Sequence, residues 1–139
     1  MNSKAFVLVG FAAIVLYGCG NRTAPTTPFK DVDSHRTGNL VVVLQSATGE
    51  ITQGENQFAI EFRSAANNQP IDVGRVTASS SMTMPGMTPM TANFELSPSG
   101  QVGRYLVKGT FGMSGSWRYE VRWDGPAGRG STIFNSSVR

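Results

Sequence analysis

Ser116-Trp117-Arg118-Tyr119-Glu120-Val121-Arg122-Trp123 puts an aromatic or branched side chain at every odd position and a polar or charged one at every even position. Side chains alternate between the two faces of a strand, so this octet predicts a strand with one dry face and one wet face. Phe58, Ile60 and Phe62 repeat the pattern against Gln57, Ala59, Glu61 and Arg63. Weaker strand patterns cover residues 40–44, 74–80, 92–97, 103–110 and 131–138. Turn residues separate them at Thr48-Gly49, Asn67-Asn68-Gln69-Pro70, Ser97-Pro98-Ser99-Gly100 and Asp124-Gly125-Pro126. About seven short strands follow, with no helical period after the N-terminal run. The expected fold is all-β, an immunoglobulin-like β-sandwich occupying residues 40–139. Gly125-Pro126-Ala127-Gly128-Arg129-Gly130 is read as a hairpin connection. A phosphate loop would need a helix after it.

The N-terminus is of a different kind. Lys4 precedes an apolar run from Ala5 to Leu16, too short to cross a bilayer permanently and followed by small residues, so residues 1–18 read as an export signal. Leu16-Tyr17-Gly18-Cys19 resembles the lipobox of bacterial lipoproteins, with bulky Tyr17 where a small residue is usual. This makes Cys19 the expected lipidation site and the membrane an expected partner. Gly20 in place of a retention aspartate leans toward the outer membrane, facing the periplasm. Residues 19–39 are expected to form the lipidated cysteine and a flexible tether. Cys19 is the one cysteine, so no disulfide can pin the sheets and the core must hold the fold. Net charge is +3, and Arg63, Arg75, Arg104, Arg118, Arg122 and Arg129 stand singly along the sequence, which argues against nucleic-acid binding.

The chemistry concentrates in Met82-Thr83-Met84-Pro85-Gly86-Met87-Thr88-Pro89-Met90, with Met113 nearby in Phe111-Gly112-Met113-Ser114-Gly115. Pro85-Gly86 predicts a type II turn, since proline presets its own φ and glycine supplies a positive one. That turn would hold Met84 and Met87 close together, and Met82 would point to the same side as Met84. Thioethers are soft ligands suited to Cu(I), but methionine also fills irregular apolar gaps. Two readings therefore stand: a metal site drawn from Met82, Met84, Met87, Met90 and Met113, or a flexible piece of core. The sole histidine, His35, falls in the expected tether. With no histidine and no motif pairing among the carboxylates from Leu40 onward, catalysis is not expected.

The domain also resembles the YtkA-like family, which is related to the FixH proteins. The shared features are Phe58-Ala59-Ile60-Glu61-Phe62, Asn68-Gln69-Pro70-Ile71, Met84-Pro85-Gly86-Met87, Gly103-Arg104-Tyr105 and Phe111-Gly112-Met113-Ser114-Gly115-Ser116-Trp117. The resemblance implies a small extracytoplasmic β-sandwich associated with copper and heavy-metal handling. Relatives often carry a histidine near the Met-Pro segment, whereas here Thr88-Pro89-Met90-Thr91 follows it. The leading expectation is a lipid-anchored domain in the bacterial cell envelope that binds or passes Cu(I). The alternative is a non-catalytic module that contacts an envelope protein through a structural methionine loop.

Overall fold

A computed structural model of the chain describes residues 28–139. The expected signal, Cys19 and the tether up to residue 27 lie outside the described residues. Eight antiparallel strands follow one another: β1 (Lys30–Thr37), β2 (Leu40–Ser46), β3 (Gly54–Ser64), β4 (Arg75–Met82), β5 (Met90–Pro98), β6 (Arg104–Phe111), β7 (Gly115–Gly125) and β8 (Gly128–Val138). They form a ribbon in the order β1-β2-β3-β6-β5-β4-β7-β8.

β5 is where the ribbon turns. Its first half, Met90 to Asn93, pairs with β4, and its second half, Phe94 to Pro98, pairs with β6. Serving both neighbours with different segments folds the ribbon into two layers, a sandwich corner made by one strand. The inward faces then meet. Phe62 of β3 packs edge-on against Trp123 of β7 at 5.5 Å, and Phe111 of β6 meets Trp117 at 5.1 Å. The predicted odd-numbered face of β7, Trp117, Tyr119, Val121 and Trp123, is buried throughout. Truncating a side chain such as Trp117 to alanine would cost about 3–5 kcal/mol by loss of transfer energy and the cavity left behind.

The all-β sandwich expected from the sequence is present, with eight strands where about seven were counted. The additional strand is β1, which overturns the expectation of flexible tether for residues 30–37. β1 pairs with β2 from Lys30 opposite Ser46 to Thr37 opposite Leu40, through a two-residue hairpin in which Gly38 takes φ +55°. Glycine at the first loop position suits that type of hairpin. β1 is held by its backbone ladder and polar contacts, because Val32 alone gives it an apolar anchor against the core. The free edges of β1 and β8 come together, with His35 stacked on Phe134 at 6.0 Å and an interplanar angle of 9°.

The methionine-lined end of the sandwich

β4 ends at Met82 and β5 begins at Met90, and these two residues are cross-strand partners. The loop between them closes as expected. The Met87 amide donates to the Met84 carbonyl at 3.2 Å, and Gly86 sits at φ +76° after Pro85. This is a type II turn geometry, and it brings the backbones of Met84 and Met87 together. Met84 is half-buried and packs on the core, whereas Met87 is 57% exposed at the turn.

Met82 and Met90 reach the β6–β7 connection. A Cβ on Gly115 would collide with Met82 Cε, and one on Gly112 would lie 2.5 Å from Met90 Cε. Two glycines thus provide the seats for two methionine methyl groups on either side of Met113. The Trp117 Nε1–H donates to the Met113 carbonyl at 3.0 Å, which ties the connection to the core. Met113 is itself partly buried against that core. Sequence reasoning missed the two glycine seats. Their signal was the pair of glycines bracketing Met113, which leave room only if something lies over them.

The five methionines among the described residues therefore gather at one end, divided by burial. Met82 is only 6% exposed and belongs to the core cluster. Met84, Met90 and Met113 form a half-buried layer, and Met87 stands outermost. The donor set is thioether sulfur. His35 sits at the β1–β8 edge instead, and no group of three or more His, Cys, Asp or Glu side chains is placed to hold a metal among the described residues. Such an end disfavours hard cations and Zn(II), which take oxygen, imidazole or thiolate, and suits Cu(I). A cavity of about 690 Å³ lies elsewhere, where β5 leaves β6, lined by polar residues such as Gln57, Asn93, Glu95 and Lys108.

The YtkA-like family profile matches residues 36–122, more than half of the chain. No curated protein is recognisably similar in sequence. Among solved structures, a DUF4426 family protein from Pseudomonas aeruginosa is similar at a TM-score of 0.52 and 14% identity. That match covers 76% of this chain and 93% of the other. At this identity it speaks for the fold alone. Two structures of FetP from uropathogenic Escherichia coli, one a copper-bound variant and one as isolated, give TM-scores of 0.47 and 0.48 at 7% identity. They cover 76% and 77% of this chain and 93% of each FetP chain.

Proposed function

Because the chain belongs to the YtkA-like family, we propose that it is an extracytoplasmic metal-handling protein that binds Cu(I) at its methionine-lined end. The observation that carries this reading is the Met84-Pro85-Gly86-Met87 turn, which places one half-buried and one exposed thioether on the same short hairpin connection. Met84 and Met87 are the primary ligands, and Met90 and Met113 complete a soft shell from the layer beneath. Met82 serves the core. An exposed outer ligand allows a partner to exchange the ion, so the role is that of a carrier or buffer and no bond-making chemistry is assigned to it.

The reading also assigns Cys19 as the lipid attachment that holds the protein at the cell envelope. Replacing Cys19 with serine should abolish incorporation of labelled fatty acid into the chain. A Cys19→Ser chain that is labelled like the wild type would remove this part of the reading.

The copper site is tested by anaerobic competition titration with a chromophoric Cu(I) chelator. Met84→Leu with Met87→Leu keeps the apolar volume but removes both sulfurs. The doubly substituted chain should hold Cu(I) at least about tenfold more weakly, a difference of about 1.4 kcal/mol.

A further inference from the structure

The arginines that stand singly in the sequence do not stand singly in the fold. The outward face of β4, β7 and β8 carries Arg75, Arg118, Arg122 and Arg129, all exposed. Register puts Arg75 opposite Asp124 and Asp124 opposite Arg129, with Thr77, Arg122 and Ser131 in the next row. Ser79, Glu120 and Ile133 follow, then Ser81, Arg118 and Asn135. Two carboxylates stand among four guanidinium groups. Glu120 pairs with Arg122 and Asp124 with Arg129, leaving Arg75 and Arg118 without an ion pair among the described residues.

The opposite face of the sandwich is balanced. There Arg63 bridges Asp31 at 3.3 Å and Glu61 at 2.6 Å, and Glu95 lies opposite Lys108. The positive excess is therefore confined to one layer.

We propose that the β4–β7–β8 face docks on an anionic phospholipid surface. Charge complementarity is the first argument. Each surface arginine near an anionic leaflet adds attraction that salt weakens, and Arg75 and Arg118, without an ion pair among the described residues, leave this face with a net excess of two positive charges. The second is shape. Two shallow grooves, of about 360 and 250 Å³, adjoin at Thr77 and Arg122, giving open recesses for headgroups along the face. The third is Ile133, an exposed branched side chain at 43% on this same face. An apolar group there has no use against free phosphate, but it can enter the boundary between headgroups and acyl chains. The proposal rests on neither the copper site nor the lipid on Cys19.

The test uses residues 19–139 with Cys19→Ser, so that the apolar N-terminal run is absent and a single fluorophore can be attached through Ser79→Cys on this face or Gln57→Cys on the other. Phosphatidylcholine vesicles with and without phosphatidylglycerol carry a headgroup quencher, and both co-sedimentation and fluorescence are read. With phosphatidylglycerol, the probe at residue 79 should be quenched several-fold more than the probe at residue 57. That difference should vanish in about 1 M salt, where the Debye length falls to about 3 Å. It should also vanish with Arg75→Glu and Arg118→Glu, or with the milder Arg75→Gln and Arg118→Gln. Equal quenching of the two probes, indifference to lipid charge, or no binding to either vesicle would overturn the proposal. Displacement by millimolar inorganic phosphate at constant ionic strength would reassign the face to a soluble anion and likewise overturn it.

Discussion

Tyr119 is fully buried, stacked on Phe134 at 5.5 Å and on Phe94 at 6.0 Å, and its hydroxyl meets no hydrogen-bond partner among the described residues. Burial pushes its ionisation far above the ordinary phenol range, and the nearby Asp33 carboxylate adds to this. The unfolded chain releases this proton first, near pH 10, so Tyr119 withdraws stability as pH rises through that value and beyond. Below it the unpaired hydroxyl is a buried polar group without compensation, which costs about 1–3 kcal/mol. Tyr119→Phe should therefore be as stable as the wild type or more so at neutral pH, and should lose less stability above about pH 10. Denaturant unfolding at the two pH values measures both effects. A clear loss of stability at neutral pH would show that the hydroxyl has a partner. The sequence announced Tyr119 as core by its place between Trp117 and Val121, but nothing in it announced an unpartnered hydroxyl. That depends on which strands pack opposite.

At the scale of elements, β1 is the strand whose attachment depends most on charge. Asp31 accepts a hydrogen bond from Gln45 Nε2 at 2.7 Å and faces Arg63 Nη1 at 3.3 Å. Burial works to raise its carboxyl, but the bond from Gln45 and the pairing with Arg63 outweigh it, and the group titrates below its ordinary value. A carboxylate lowered in this way supports the fold above its unfolded pKa of about 4, and the support is lost as pH falls through the folded value. Asp31 is more than half exposed, which screens the effect. Acid unfolding followed by circular dichroism should show a smaller loss of stability below about pH 4 in Asp31→Asn than in the wild type. Identical acid profiles would mean that Asp31 does not hold β1. The strand itself was illegible for the same reason that it is charge-dependent. Asp31, Asp33, Ser34, His35 and Arg36 give no dry face, and the ladder with β2 forms through backbone groups that sequence periodicity does not report. By contrast β3 and β7 were legible, because the alternation of Phe58, Ile60 and Phe62, and of Trp117 to Trp123, encodes burial directly.

For the whole molecule, the sequence yields the inventory and the topology yields the groupings. The Pro85-Gly86 turn is local and could be read in advance, so the closeness of Met84 and Met87 was expected and is found. The approach of Met82 and Met90 to Gly115 and Gly112 joins segments distant in sequence and needed the fold. So did the gathering of Arg75, Arg118, Arg122 and Arg129 on one face, since each belongs to a wet face whose neighbours are set by strand order. The two assemblies lie on different parts of the sandwich, one at the end where β4 and β5 meet and one across the outward face of β4, β7 and β8. An ion held by thioethers and a surface held by guanidinium groups can then act independently. The central claim remains the thioether site. Its most direct measure is anaerobic competition for Cu(I) among the wild type, Met82→Leu, and Met84→Leu with Met87→Leu. The account predicts that the wild type and Met82→Leu each hold one ion with similar affinity, while the double variant holds it at least about tenfold more weakly. Equal competition by all three chains would contradict it.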